Sequence, residues 1–158
     1  MLKQLQKHIS LSKNFSKRLS IAIVRTDYHN ELNNNLEKYA RETLIANDVP
    51  EKQIETFSVP GAWEIPLMVQ KVAASKKFDA IITFGIIIKG DTHHFDMITQ
   101  EVGRALMDLS LDYNIPVALE ILAVYKKEDA ERRAGDNDNN KGIEGATAVL
   151  NMLQALNE

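Results

Sequence analysis

The chain contains no cysteine. Disulfides, thiolate nucleophiles and cysteine-ligated zinc are therefore excluded together. Neither charge sign is in excess: 19 basic and 22 acidic residues leave a net charge of -3. That is not the basic footprint of a nucleic-acid binder. No apolar run approaches the ~18 residues needed to span a membrane. The first residues also lack the apolar core of a secretory signal, so the expected location is the cytoplasm. There is no internal repeat and no composition shift that would mark a second domain. The only biased tract is Asp136-Asn137-Asp138-Asn139-Asn140, which reads as a loop between helical segments.

A length of 158 residues fits one domain with a sizeable core. With 44% hydrophobic and 26% charged residues, the chain has the balance of a globular protein and not of a disordered one. The mildly basic stretch from Lys3 to Arg18 reads as a solvated or loosely ordered arm, residues 1–18, ahead of a single domain, residues 19–158. Apolar, β-branched runs at Leu19–Val24, Glu55–Val59, Ala80–Ile88 and Pro116–Val124 predict four strands. Helical stripes lie between and after them. Leu32, Leu36, Tyr39, Thr43 and Leu44 share one face. Ile98, Val102, Ala105, Leu106, Leu109 and Tyr113 share another, and Ile143, Ala146, Leu150 and Leu153 mark a last helix. Pro66 suits the first turn of a shorter helix running toward Ser75. Strands alternating with helices imply a parallel sheet covered on both faces. The expected fold is α/β, a three-layer sandwich on a four-stranded parallel sheet of flavodoxin-like order.

Chemistry concentrates where strands end and helices begin. Gly90-Asp91-Thr92-His93-His94-Phe95-Asp96 follows the apolar run Ala80–Ile88 and leads into the long helical stripe. It would put hydroxyl and imidazole groups at the carboxyl end of the sheet, where open α/β folds bind ligands. A helix start also offers unpaired N–H groups to a phosphate, and His94 can move protons near neutral pH. A helix-start histidine can equally be satisfied by local backbone. A metal held by His93, His94 and Asp96 is allowed by composition, but adjacent ligands diverge on a helix and no His-x3-His spacing is present. Arg133, in Glu131-Arg132-Arg133-Ala134-Gly135, and Lys141, in Asn140-Lys141-Gly142, are cations able to grip a phosphate or to stand solvated. Spacing alone connects neither to His94. Val59-Pro60-Gly61-Ala62-Trp63-Glu64-Ile65-Pro66 places the only tryptophan and a carboxylate after the second strand. Trp63 can stack on a flat ring or simply pack, and Glu64 can take hydroxyls or simply favour the helix dipole. Tyr28, after the first strand, is a further aromatic candidate. These residues point to an enzyme handling a small phosphorylated substrate.

Three segments in register carry a resemblance: Val59 to Pro66, Gly85 to Asp96, and Glu131 to Gly135 with Asn140-Lys141-Gly142. Together they resemble the lumazine synthase family across nearly the whole chain, from Leu19 to Leu153. The resemblance implies a transferase of riboflavin biosynthesis that condenses 5-amino-6-(D-ribitylamino)uracil with 3,4-dihydroxy-2-butanone 4-phosphate and uses no metal or organic cofactor. It implies that His94 transfers protons, that Asp91 and Thr92 form the phosphate turn, and that Arg133 is its guanidinium partner. Tyr28 would stack on the pyrimidine. Ala62, Trp63 and Glu64, with Ile86, Ile87 and Ile88, would hold the uracil and the ribityl chain. Leu119, Arg133 and Lys141 fall where the family draws on a neighbouring subunit. A homopentamer with interfacial sites is thus implied, and the basic arm could add to a neighbour's sheet. The family carries phenylalanine more often at positions 28 and 63, and an aromatic at 119. Members that build 60-subunit shells often have Thr-Lys-Ala-Gly-Asn in place of Asp136–Asn140, so the resemblance implies the pentamer and not the shell. Two other readings use the same scaffold: a riboflavin synthase of the archaeal type, and a non-catalytic lumazine- or flavin-binding protein.

Overall fold

The computed structural model describes residues 11–158. Four strands form: β1 (Ile21–Thr26), β2 (Ile54–Val59), β3 (Ala80–Ile88) and β4 (Val117–Val124). They make one parallel sheet in the order β2-β1-β3-β4, the expected class and strand order. Ile21 stands beside Ile54 on one side and Ala80 on the other, and Ile81 beside Val117. The central strands are apolar on both faces because both faces are covered. Ile82 enters a core with Leu36, Leu44 and Leu150, while its neighbour Ile81 faces Val69, Val102 and Leu106 on the other side.

The helices are α1 (Lys13–Ser16), α2 (Asn30–Ala46), α3 (Ile65–Ala74), α4 (His94–Tyr113), α5 (Lys127–Ala134) and α6 (Lys141–Asn157). Helices α2 and α6 pack together over one face of the sheet, and α3 and α4 over the other. Pro66 lies in the first turn of α3, where its missing N–H has no partner to lose. Asn114 ends α4 in the left-handed region, at φ 52°, a conformation that asparagine tolerates better than most residues.

Two details depart from the sequence expectations. Strand β1 runs on through Arg25 and Thr26, past the end of the apolar run. The Arg25 guanidinium is buried, and its two terminal nitrogens are engaged: they donate to Glu37 at 3.1 Å and to the side-chain carbonyls of Asn30 and Asn34, while Nε–H has no partner. The other concerns residues 11–18 of the arm. Ser12 accepts the Phe15 N–H at 3.2 Å to start α1, Ser16 is buried, and Leu11 and Phe15 pack against the core. Residues 1–10, and with them most of any strand the arm could add to a neighbour, lie outside the described residues.

Candidate active site

The loops after β1, β2 and β3 surround a cleft of about 760 Å³ at the carboxyl end of the sheet. Backbone hydrogen bonds hold the first two loops together. The Asp27 N–H donates to the Val59 carbonyl at 2.8 Å, and the Tyr28 N–H to the Pro60 carbonyl at 3.4 Å. Asn33, fully buried at the start of α2, donates to the Tyr28 carbonyl at 2.8 Å and to Thr26 Oγ1 at 3.0 Å. The backbone of Tyr28 is thereby fixed, while its side chain stands exposed at the cleft. In the second loop the Gly61 N–H donates to Glu64 Oε2 at 3.0 Å, and the Glu64 N–H to the Gly61 carbonyl at 3.2 Å. This reciprocal pair closes a tight turn that presents Trp63 outward. One carboxylate oxygen of Glu64 is engaged in that turn.

The third loop runs from β3 into α4. Its Gly90-Asp91-Thr92 segment is exposed and leads to His94, the first residue of a helix of 20 residues. The His94 N–H donates to Thr92 Oγ1 at 3.4 Å. A helix of this length brings a partial positive charge and free N–H groups to the turn. His93 turns away to the surface, 3.8 Å from Asp96. Among the described residues no three His, Asp or Glu side chains gather as a metal would require.

Tyr28, Ala62, Trp63, Glu64, Ile86, Ile87, Ile88 and His94 thus line one cleft. Asp91 and Thr92 stand in the turn just before His94. Arg133 and Lys141 meet elsewhere, in a second cleft of about 340 Å³ bounded by Ile121, Val124, Tyr125 and Asp129. There Arg133 donates to the Asp129 carbonyl at 3.0 Å, and Lys141 pairs with Glu144. Asn140 caps α6 by accepting the Gly142 N–H at 2.8 Å. This holds the start of the helix that carries Lys141. Leu119 lines neither cleft and is exposed on the edge strand β4.

Sequence reasoning missed His29, Gly61 and Ile98, which also line the first cleft. His29 has its ring against Tyr28, and burial, followed by the charge of Lys127, lowers its pKa below the ordinary 6.5. The sequence signal for it was its place between an aromatic and a helix start. In the sequence Ile98 shows only as part of the α4 stripe.

Strand order and crevice together define a doubly wound α/β protein of the class that binds small ligands at the carboxyl ends of its strands. Comparison with known proteins takes this further: the chain belongs to the 6,7-dimethyl-8-ribityllumazine synthase family, whose sequence model matches residues 18–157. The proteins named 6,7-dimethyl-8-ribityllumazine synthase in Stenotrophomonas maltophilia strains R551-3 and K279a are each 39% identical to it over 137 residues. These spans cover 87% of this chain and 88% of the relative.

Proposed function

We propose that this chain is a lumazine synthase, a transferase of riboflavin biosynthesis. It condenses 5-amino-6-(D-ribitylamino)uracil with 3,4-dihydroxy-2-butanone 4-phosphate to give 6,7-dimethyl-8-ribityllumazine, phosphate and water. The observation that carries this reading is the first cleft, where an imidazole, two aromatic rings and a long helix's N-terminus converge.

The flat pyrimidine stacks on Tyr28 beside Trp63, and the isoleucines of β3 exclude water from it. The Glu64 oxygen not engaged with Gly61 accepts hydroxyls of the ribityl chain. The butanone phosphate sits on the turn of Asp91 and Thr92, where the start of α4 supplies N–H groups. The amine then attacks the ketone to form an imine with loss of one water, phosphate departs, the resulting enol tautomerises to a ketone, and the second amine closes the ring on it with loss of a second water. No protein nucleophile is needed. His94 carries protons between these steps, a contribution of ~10²–10⁴-fold, while orientation of the two substrates is worth ~7–11 kcal/mol.

Arg133 and Lys141 stand in a different cleft of the same chain. This separation supports a homopentamer in which Arg133, Lys141 and Leu119 of one subunit complete the His94 cleft of the next. The departing phosphate then leaves against a guanidinium as well as a helix N-terminus. We place the enzyme in the cytoplasm, with residues 19–158 as its one domain and no metal or organic cofactor; no described helix is long and apolar enough to cross a membrane. The test is direct: both substrates are mixed with the protein, and lumazine absorbance and phosphate release are followed together. Equal amounts of the two products are expected, and no lumazine from the pair would overturn the proposal.

A further inference from the structure

Tyr28 is 70% exposed, yet the proposed reaction asks its ring to be a fixed wall. The backbone bonds described above anchor the main chain of Tyr28 but leave its ring free to turn. Among the described residues one aromatic ring touches it: the His29 imidazole, centroid to centroid 4.6 Å, with the planes at 70°. That is the edge-to-face arrangement in which the positive rim of one ring meets the negative face of the other.

Nothing else at position 29 calls for an imidazole. His29 is the N-cap of α2, but its side chain makes no capping hydrogen bond; a cap would favour Ser, Thr, Asp or Asn. Its backbone lies in the left-handed region, at φ 59° and ψ 47°, which histidine tolerates better than most residues but which asparagine, aspartate or glycine would accept as well. The backbone thus admits several residues and the cap would favour others, which leaves the ring as the feature to be explained. The ring lines the same cleft as Trp63, Glu64 and His94. Burial, and after it the charge of Lys127 at the start of α5, lower its pKa and so favour the neutral imidazole beside Tyr28.

We infer that His29 is a positioning residue, holding the Tyr28 ring edge-on so that the flat ring substrate meets a preset stacking surface. This rests on the proposed function. A preset wall removes part of the ordering cost of binding, and loss of an aromatic pair of this kind corresponds to about three- to tenfold in affinity. His29 acts through Tyr28, so the effect belongs to binding of the ribitylaminouracil and not to the chemical step or to the phosphorylated ketone.

The experiment compares His29→Asn, which suits the left-handed backbone but lacks the ring, with His29→Phe, which restores a ring of similar breadth in a backbone less suited to it, so circular dichroism first establishes that both variants fold as the parent does. KM for each substrate and kcat are measured on both. In parallel, fluorine NMR of 3-fluorotyrosine-labelled protein without ligand, with the Tyr28 signal assigned by Tyr28→Leu, reports the ring contact. Expected for His29→Asn are a KM for the ribitylaminouracil raised about three- to tenfold, little change in the other KM or in kcat, and a shifted Tyr28 fluorine signal. His29→Phe should restore both the KM and the upfield or downfield character of that signal. An unmoved KM, a fall in kcat alone, or a phenylalanine variant that behaves like the asparagine one would each overturn the inference. Should the unaltered protein make no lumazine, the functional proposal falls separately, and the fluorine comparison decides the contact by itself.

Discussion

Glu120 should make this protein less stable as pH rises through the neutral range, and replacing it with glutamine should remove that loss. The carboxyl lies on β4 facing α6, on the same side of the strand as Ala118 and Leu122. Gly145 of α6 makes room for it; a Cβ there would stand 2.8 Å from Glu120 Cγ. Burial first, and the nearby Glu144 second, push its pKa from 4.5 up to about 7, against the opposing pull of Lys141. In the unfolded chain Glu120 releases its proton near the ordinary value, whereas the folded protein holds it to about pH 7. Between those limits the native state binds the extra proton, so stability falls with rising pH and the full loss is present above 7. At about 1.4 kcal/mol per tenfold in proton affinity, the displacement is worth about 3 kcal/mol. Glu120→Gln should therefore match the parent near pH 4.5 and exceed it by about 3 kcal/mol at pH 8, roughly 6–12 °C in Tm for a chain of this size. Thermal unfolding followed by circular dichroism from pH 4.5 to 8, at equal protomer concentration because assembly also shifts Tm, measures the gap. A gap that stays constant with pH would refute the argument. A Glu144→Gln variant should narrow the gap only by the smaller share that this charge adds to burial.

Three other substitutions test the site and its support. His94→Ala should lower kcat by about 10²–10⁴-fold while leaving measurable turnover, because substrate orientation survives; a dead enzyme with normal binding would contradict this. Arg133→Ala should raise KM for the butanone phosphate and leave KM for the ribitylaminouracil within about twofold, since a phosphate grip has no part in ring stacking. Arg25→Ala should cost about 1–3 kcal/mol in denaturant unfolding, because Asn30, Asn34 and Glu37 lose their shared donor, while hydrogen bonds from Thr56 and Arg41 still hold the Glu37 carboxylate.

The sheet was legible because its strands announce themselves. Ala80–Ile88 is apolar at eight of nine positions and buried nearly throughout, and only a strand covered on both faces tolerates such a run. The polar continuation of β1 was not legible. Arg25 reads as a strand terminator until Asn30, Asn34 and Glu37 are seen to come back to it from α2. Helix α5 is nearly silent in sequence: its buried residues are Ala130 and Ala134 alone, too small to make a stripe among six charged neighbours. His29 was invisible for a different reason. Its importance lies in a ring contact and a left-handed backbone, neither of which leaves a periodic trace.

The division of the site into two clefts follows from strand order, which periodicity does not specify. With β1 and β3 at the centre and β2 beside β1, the loops after these three strands enclose the Tyr28, Trp63 and His94 cleft. β4 is the edge strand, and α5 and α6 come after it in the chain, so Arg133 and Lys141 are carried to that flank of the sheet and away from the first cleft. A phosphate grip on that flank serves a substrate beside His94 only if a second copy brings its own flank there. The catalytic proposal and the oligomeric one therefore stand together. If Arg133→Ala lowers activity, mixing it with His94→Ala subunits should restore about a quarter of the sites in randomly reassembled pentamers, because some interfaces then pair an intact His94 with an intact Arg133. Two defects confined to one chain's own site would show no such rescue.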